Sequence, residues 1–372
     1  MRYTKVCVEA FSYTLPDEVV CTTELELRLR PLYQRLKFQE GRLEILTGIR
    51  ERRLWPQNRT PGTQSVTTVQ HLLEQTQIDT RKIGALIHGS VCRDYLEPAT
   101  ACSVHGALGL PSNGYVYDLS NACLGIISGM IQIANMIELE QIEAGIVVGT
   151  ESSRSLLEAT IQYLNTDFSI TRKSVKPAFA SLTIGSGSAA VLLTNRNISQ
   201  TGNRLLGGMI GAQTDFCNLC RSDTDQFGGD TMNPLMQTDS ETLMKEGIAA
   251  ASRIFEPFLT EVGWIRRDID RTFCHQVGRV HQKLLFDSLE LPMKQNFSTL
   301  EYLGNTGSTA LPTTAGIGTE TGFVPDKSRV ALLGIGSGIN VVMLGLEWNK
   351  TLATSYPAAN ETIKKIIRQN SL

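Results

Sequence analysis

Short apolar runs that alternate with helical patterns constrain the fold of this chain most strongly. Four runs have the length and bounds of buried strands: ALIHGSV (85–91), AGIVVGT (144–150), SAAVLLT (188–194) and RVALLGI (329–335). Strands that are apolar on both faces are typical of sheets that helices cover on both sides. The sequence therefore predicts an α/β architecture with helices on both faces of its sheets.

The chain is also long enough for two compact units. It has 372 residues, which is more than one ordinary core holds. The polar, glycine-bearing stretch NRNISQTGNRLLGG (195–208) is the best internal boundary. It predicts an N-terminal half over residues 1–196 and a C-terminal half over residues 206–372. In the second half, a long helix is expected over residues 238–264, which Pro257 should kink or end.

The two halves resemble each other in the order of their elements. The first offers a strand at IGALIHGS, a helix, a strand at YVYDLS and a turn at NACLG. The second offers a strand at IDRTFCHQ, a helix, a strand at TLEYLG and a turn at NTGST. This order predicts an internal duplication. It puts Cys123, His275 and Asn305 in turns where a strand ends, and ligand sites collect at such turns in open α/β sheets.

Charge and cysteine usage exclude several classes of protein. A formal net charge of −2 gives no standing attraction to nucleic acid or anionic lipid. No apolar run is long enough to span a bilayer, and the first twenty residues carry charge and proline where a signal peptide needs an apolar core. Eight scattered cysteines suit a reducing compartment, and five histidines offer little material for a metal centre. We expect a cytoplasmic protein without nucleic-acid partners or a membrane span.

Cys123 allows two interpretations from its own surroundings. It lies in DLSNACLGIISGM, just ahead of a helical run with little polar face, where a cysteine can be a buried packing residue. Against this, the first turn of a helix offers free amides that favour a thiolate and can bind an oxyanion. The stretch alone does not decide between packing and catalysis.

His275 and Asn305 are ambiguous in the same way. Taken singly, a histidine at a strand end and an asparagine in GNTGST are explained as structural residues. Taken with Cys123, they form a set that thioester chemistry can use. A thiolate would accept an acyl group, and two neutral donors would hold a carbonyl oxygen as it becomes an enolate.

The segments SNACLG, CHQVGRVH and GNTGSTALP, in this order, resemble the Cys-His-Asn triad of the thiolase-superfamily condensing enzymes. The particular resemblance is to the 3-oxoacyl-(acyl carrier protein) synthase III branch, of which TGIRERR is also typical. Four more segments are similar to segments of the enzymes that join two fatty acyl-CoAs head to head in long-chain olefin biosynthesis. They are RLRPLYQRL, RRLW, SVCRDYLEPATA and LLGIGSGIN. The resemblance extends from the amino terminus to about Trp348.

This resemblance implies a thiolase-like fold, in which two duplicated α/β halves form a layered α-β-α-β-α core. It implies that Cys123 is the acylated nucleophile and that His275 and Asn305 donate to the thioester carbonyl of the second substrate. The main chain of Cys123 and of the GIGSG loop, at Ser337, would form the oxyanion hole for the first acyl group. Glu97 in DYLEPAT would be a general base that reaches the site from the partner subunit of a homodimer.

The GIGSG loop also invites a nucleotide-binding interpretation. INVVMLGLEW follows it and reads as a strand, so the helix terminus that binds a phosphate is missing. We therefore expect neither a nicotinamide or flavin cofactor nor a metal. The expected partners are fatty acyl-CoA, a thioester of acyl carrier protein as an alternative, and a second copy of the chain.

Four functions remain open at this point. The leading prediction is a homodimeric enzyme that condenses two acyl-CoAs to a 2-alkyl-3-oxoacyl product. The close alternative is a decarboxylating synthase III that uses a malonyl thioester. Arg42, Leu46 and Gly278 depart from the CoA-site and histidine-motif residues of that branch. A cysteine hydrolase would share the triad order, but a CGSCW-like signature is absent. A non-catalytic partner subunit would not need all three triad residues.

Overall fold

The computed structural model describes residues 1–222, 235–353 and 361–371. Within them the strands are β1 (Val6–Thr14), β2 (Glu18–Cys21), β3 (Glu51–Leu54), β4 (Ile83–His88), β5 (Tyr115–Asp118), β6 (Ala144–Glu151), β7 (Gly187–Asn195), β8 (Arg204–Ala212), β9 (Cys220–Ser222), β10 (Met236–Thr238), β11 (Arg271–Cys274), β12 (Ser328–Gly336) and β13 (Asn340–Trp348). The α-helices are α1 (Thr22–Arg28), α2 (Arg30–Leu36), α3 (Arg42–Thr47), α4 (Pro61–Thr76), α5 (Thr100–Leu108), α6 (Gly125–Glu138), α7 (Arg154–Thr166), α8 (Ser240–Val262), α9 (Arg279–Leu289), α10 (Leu300–Leu303), α11 (Ala310–Glu320) and α12 (Glu361–Asn370).

The main sheet uses one strand order twice. Its nine strands follow the order β11-β12-β13-β8-β1-β7-β6-β4-β5. In the first part, β4 lies parallel to β5 and β6, and then β6, β7 and β1 pair antiparallel. In the second part, β11 lies parallel to β12, and then β12, β13 and β8 pair antiparallel. An isolated parallel bridge from Thr272 to Asn296 stands where β5 stands in the first part. The repeated order and direction agree with the predicted duplication.

Helices cover the outer face of each part of the sheet and also fill the space between the parts. α4 and α5 pack on the first part, and α8 and α9 pack on the second. α6 and α11 lie between them, where one apolar cluster joins Ile87, Val147 and Val191 to Leu332 and Leu344. The layers therefore follow the predicted order α-β-α-β-α, and the strands predicted near residues 85, 144, 188 and 329 are β4, β6, β7 and β12.

α11 is built from small residues because it is buried on every side. All ten residues from Ala310 to Thr319 are buried. Added Cβ atoms at Gly316 and Gly318 would lie 2.9 Å and 2.6 Å from ring atoms of Tyr13 and Phe273, so only glycine permits these contacts. The buried threonine hydroxyls donate within the helix, as from Thr314 Oγ1 to the carbonyl of Ala310. The sequence thus fits a helix with no polar face.

The expected strand at TLEYLG is wrong, and of the two effects expected of Pro257, a kink or an end, the end is excluded. TLEYLG is not a strand, because Leu300–Leu303 forms α10. A run of this length cannot be told from a helix by its periodicity alone. Pro257 does not end α8, which continues to Val262 and ends at Gly263 with φ 72°. The proline removes one helical hydrogen bond, and buried Phe255 and Phe258 hold the helix on either side of it.

The last helix, α12, packs against the segment that leads to Asn305. Ile363 and Ile366 are buried in the apolar cluster between the two parts of the sheet. Asn370 Nδ2 donates to the carbonyl of Ser298, and the N–H of Ser298 donates to Asn370 Oδ1, both over 2.8 Å. α12 therefore braces the chain between the isolated bridge at Asn296 and α10.

Candidate active site

Cys123 lies in a tight turn between β5 and α6. Residues Ala122–Leu124 form one 3₁₀ turn, and α6 begins at Gly125. Ala122 has φ 45°, in the left-handed region, which costs a residue with a Cβ about 1–2 kcal/mol. The N–H of Leu124 donates to the carbonyl of Asn121 over 2.9 Å. As predicted, the sequence SNACLG presents the thiol at the start of a buried helix.

The GIGSG loop closes against this turn. An added Cβ at Gly336 would lie 3.0 Å from Leu124 Cγ and 3.7 Å from the nitrogen of Cys123, so glycine lets β12 approach closely. The peptide N–H groups of Cys123 and Ser337 lie near enough to the Cys123 sulfur to lower the pKa of its thiol. The residues after the loop form β13, so the prediction of a strand rather than a phosphate-binding helix is confirmed.

Burial, and not the helix terminus, dominates the acidity of the Cys123 thiol. Desolvation raises its pKa to about 12, and the nearby Glu151 carboxylate and Cys220 thiol act in the same direction. The N–H groups of Cys123 and Ser337 lower it by less. The expectation that the first helical turn favours a thiolate is therefore wrong in its net result. Burial raises the pKa of the thiol by more than the two peptide N–H groups lower it.

His275 follows β11 directly and lies beside the end of β12. Its N–H donates to the carbonyl of Leu333 over 3.0 Å. The residue is 2% exposed, and burial lowers its pKa to about 3, with a smaller lowering from His281. Within the described part of the chain, its Nδ1 has no hydrogen-bond partner. The ring is neutral near pH 7, so it carries one N–H donor and one acceptor nitrogen.

Asn305 follows α10, and not a strand as predicted. Its N–H donates to Thr183, and its carbonyl accepts from Gly185, both over 2.9 Å. These bonds fix the backbone against a neighbouring segment. Asn305 Oδ1 accepts the N–H of Gly307 over 3.0 Å, which orients the side-chain amide so that Nδ2 is left as its donor.

The three triad residues come from turns that touch one another. The 3₁₀ turn Gly307–Thr309, which follows Asn305, packs against the 3₁₀ turn of Cys123. The end of β12 contacts both His275, through Leu333, and the Cys123 turn, through Gly336. The structure therefore brings together, at one end of the strands, the turns that carry Cys123, His275 and Asn305.

Glu97 is not brought to this site within the single chain. Its side chain is exposed, and its neighbours Tyr95 and Leu96 are 63% and 51% exposed. Across the described residues it has no ion pair, and it is not among the charged groups that act on Cys123. The loop that carries it lies on the surface of the protomer.

Glu151 is a site residue that the sequence interpretation missed. It ends β6, is 6% exposed, and its charge acts on the Cys123 thiol. Its carboxylate accepts hydrogen bonds from Val91, Cys92 and Ser308. The available signal was a carboxylate directly after the apolar run AGIVVGT, at the end of a buried strand.

Residues 1–222, 235–353 and 361–371 contain neither a metal-binding cluster nor a membrane-spanning helix. No three His, Cys, Asp or Glu side chains there lie in a group that could hold a metal ion. None of the helices in those ranges combines the length and apolarity needed to cross a membrane.

Comparison with known proteins decides the family. The family model "Thiolase, N-terminal domain" matches residues 63–164, and "3-Oxoacyl-[acyl-carrier-protein (ACP)] synthase III C terminal" matches residues 259–348. The acyl-CoA:acyl-CoA alkyltransferase of Shewanella oneidensis is 39% identical over 351 residues, which cover 94% of this chain and 100% of that protein. The chain belongs to the acyl-CoA:acyl-CoA alkyltransferase family. It is an acyltransferase with a thiolase-like fold.

Other members of the family match along the same length. The acyl-CoA:acyl-CoA alkyltransferase of Xanthomonas campestris is 31% identical over 348 residues, which cover 94% of this chain and 100% of that protein. A crystal structure of a Xanthomonas campestris OleA variant with bound lauric acid and lauroyl-CoA superposes with a TM-score of 0.87. It is 30% identical and covers 93% of this chain and 100% of its own. The fold and the enzyme class predicted from sequence are confirmed.

Proposed function

We propose that this enzyme joins two fatty acyl-CoA molecules head to head, without loss of carbon dioxide, to give a 2-alkyl-3-oxoacyl product. The observation that carries the proposal is the half-buried Cys123 turn, which meets both the GIGSG loop and the Asn305 turn. The relatives at 39% and 31% identity are named for the same pair of substrates, which supports this function over the malonyl-dependent alternative.

In the first half-reaction, Cys123 Sγ attacks the carbonyl carbon of one acyl-CoA. The bond from that carbon to the CoA sulfur breaks, and the thiol proton leaves with CoA. The N–H groups of Cys123 and Ser337 hold the carbonyl oxygen while it is negatively charged. The lauroyl-CoA bound to the Xanthomonas campestris relative supports acyl-CoA as the substrate.

In the second half-reaction, His275 and Asn305 Nδ2 donate to the thioester oxygen of a second acyl-CoA. Glu97 of the partner subunit removes the α-proton, and the enolate attacks the acyl group on Cys123. A carbon–carbon bond forms, the carbon–sulfur bond to Cys123 breaks, and the thiolate is protonated by the proton that the glutamate took. Neutral donors suit this step, because a buried imidazole with a pKa of about 3 keeps its uncharged form.

The base is required because a plain acyl thioester has no carboxylate to expel. An unactivated α-proton must then be removed by a group within hydrogen-bond reach. Glu97 suits a role across a dimer contact, since its loop exposes Val91, Tyr95 and Leu96, which a second copy would cover. The homodimer and the trans-acting glutamate are therefore parts of the same proposal. A cytoplasmic location, proposed from the cysteine usage, agrees with a CoA substrate.

One assay tests the proposed reaction. Pure protein is mixed with a single long saturated acyl-CoA and no malonyl donor, and the product is identified by mass spectrometry. We expect a 2-alkyl-3-oxoacyl product from the wild type and an acyl adduct on Cys123. Cys123→Ala should form neither, and Glu97→Gln should form the adduct without the product. Product that appears only after a malonyl thioester, on CoA or on acyl carrier protein, is added would contradict the proposal.

A further inference from the structure

The carboxylate of Glu151 lies where the turns of this site meet. From the Asn305 turn, Ser308 Oγ and the Ser308 N–H donate to Glu151 Oε1 over 2.5 Å and 3.3 Å. From the loop that carries Glu97, the N–H of Val91 donates to Oε1 over 3.1 Å. The N–H of Cys92 donates to Oε2 over 3.3 Å. One side chain therefore joins two segments that are otherwise distant in sequence.

The burial of Glu151 makes these bonds energetically important. The residue is 6% exposed, and in the described ranges it has no Lys or Arg partner. A buried carboxylate without a counter-ion is stable only when donors replace its water, and here four donors do so. Gly307 adds a close packing contact, because a Cβ on it would lie 3.1 Å from Glu151 Cγ. The position of the Asn305 turn thus depends on this carboxylate.

We propose that Glu151 is a positioning residue for condensation: its carboxylate holds the Asn305 turn and the Glu97 loop in a fixed relation to Cys123. The inference rests on the function proposed above. Glu151 itself takes no proton and touches no reacting atom in this scheme. Its effect on the reaction passes through Asn305, which must meet the second thioester, and through Glu97, which must meet the α-proton.

The charge of Glu151 provides a second, separate readout. Four groups act on the pKa of the Cys123 thiol: the Glu151 carboxylate on β6, the Cys220 thiol on β9, and the N–H groups of Cys123 and Ser337. The first two raise the pKa of Cys123 and the N–H groups lower it. Removal of the Glu151 charge should therefore lower this pKa and increase the thiolate fraction at any given pH.

Glu151→Gln is the informative variant. The amide has one acceptor oxygen, which can keep the Ser308 bonds, but its nitrogen would face the N–H of Cys92 as a second donor. Size is preserved, while the charge and one contact are lost. Ser308→Ala is the complementary variant, because it removes the 2.5 Å hydrogen bond and keeps the charge.

Glu9→Gln is the matched control. Glu9 is also a buried carboxylate, at 3% exposure, and accepts from Thr194 Oγ1 and from the N–H of Gln200 over 2.8 Å and 3.1 Å. Thr194 pairs with Ala144 at the start of β6, whereas Glu151 ends that strand. The control therefore loses a buried charge near the opposite end of β6, away from Cys123.

Three measurements test the proposal: acyl adduct on Cys123, condensed product from acyl-CoA, and the pH dependence of Cys123 alkylation by iodoacetamide. For Glu151→Gln we expect the full adduct, condensation slower by about 10-fold or more, and an alkylation profile shifted to lower pH. For Ser308→Ala we expect slower condensation with an unshifted profile. Glu9→Gln should match the wild type in both readouts.

Condensation by Glu151→Gln within about twofold of the Glu9→Gln rate would overturn the positioning role. So would an alkylation profile that does not move relative to the same control. If circular dichroism shows that Glu151→Gln is unfolded, the Ser308→Ala variant tests the positioning role instead. Unchanged condensation by Ser308→Ala would then overturn the proposal. A wild type that condenses only with a malonyl donor would instead refute the proposed function, and the alkylation shift would still report on Glu151.

Discussion

At Cys123, burial raises the pKa of the thiol, and two peptide N–H groups lower it by less. Because the resulting pKa is about 12, the thiolate fraction should still be increasing tenfold per pH unit at pH 10. We expect the rate of Cys123 alkylation by iodoacetamide to increase over the whole range from pH 7 to 10. Peptide mass spectrometry would follow this residue separately from the other cysteines. A plateau below pH 9 would show that the N–H groups outweigh burial.

Two buried histidines should make the protein less stable as the pH falls. Burial lowers the pKa of His275 to about 3 and that of His281 to about 4. The unfolded chain binds protons at about pH 6.5 and the folded chain does not, so unfolding becomes more favourable below pH 6.5. Each histidine should cost up to about 1.4 kcal/mol per pH unit between pH 6.5 and its folded pKa.

Urea unfolding of the wild type and of His281→Phe at pH 7.5 and 5.5 would test this. His281→Phe should lose less stability between the two pH values than the wild type does. An equal loss in both proteins would remove His281 from the explanation.

The two proposed enolate donors should affect the two half-reactions unequally. His275→Ala and Asn305→Ala should keep acylation of Cys123, since its oxyanion donors are peptide N–H groups. Condensation should fall by about 10²–10³-fold, the usual cost of one preorganised donor. Single-turnover acylation and product formation, measured separately by mass spectrometry, would check this. Condensation at the wild-type rate by either variant would assign that side chain a structural role.

The residues of this site differ in how far the sequence could predict them. Cys123, His275 and Asn305 each lie in a short contiguous motif, so their neighbours in the sequence identify them. Glu151 has no such motif, because its partners Val91 and Ser308 are 60 and 157 residues away. Its place at the end of an apolar run was visible in the sequence, but its partners are recognised only once the fold brings those distant segments together.

Among the elements, α12 gives a specific prediction about stability. Asn370 accepts from and donates to the backbone of Ser298, and loss of these two partly buried bonds should cost about 1–3 kcal/mol. Asn370→Ala should therefore lower the melting temperature. Lys364→Ala is a suitable control, since Lys364 is 52% exposed in its ion pair with Glu361 and such pairs contribute little. Equal melting temperatures for the two variants would mean that α12 does not brace this segment.

The elements also show where the spacing of apolar residues is not enough to predict secondary structure. The strands near residues 85, 144, 188 and 329 were predictable because each is apolar on both faces and bounded by polar residues. TLEYLG has too few residues to show a period, and Leu300–Leu303 became a helical turn while an isolated bridge at Asn296 took the strand's position. In α8, packing of Phe255 and Phe258 offset the local effect of Pro257.

For the whole molecule, we propose the division predicted from sequence, with one half over residues 1–196 and the other over residues 206–372. The repeated strand order supports it, although β8 already begins at Arg204. The halves share the layer formed by α6 and α11, whose apolar cluster includes strands of both. If separated from the other, each half would leave much of the α6 and α11 layer exposed to water. We therefore expect the two halves to unfold as one cooperative unit.

The proposed dimer can be tested through the loop that carries Glu97. Leu96→Asp puts a charge on a side chain that is 51% exposed and would be covered by the second copy. We expect monomers by light scattering, with Cys123 still acylated and condensation lost, because Glu97 then has no partner site to enter. Ile265→Asp, at a residue with 50% exposure on a different element, controls for the added charge. A monomer that condenses at the wild-type rate would contradict a trans-acting glutamate.

The position of β1 at the middle of the sheet has a consequence for synthesis on the ribosome. β1 is made well before both of its neighbours, which are β7, from Gly187, and β8, at Arg204. At about 5–20 residues per second, β1 waits on the order of 10–40 s before either neighbour is translated. During that interval, both edges of an apolar strand are open to other chains. The nascent protein is therefore exposed to aggregation, and to chaperone binding, until β7 has been made.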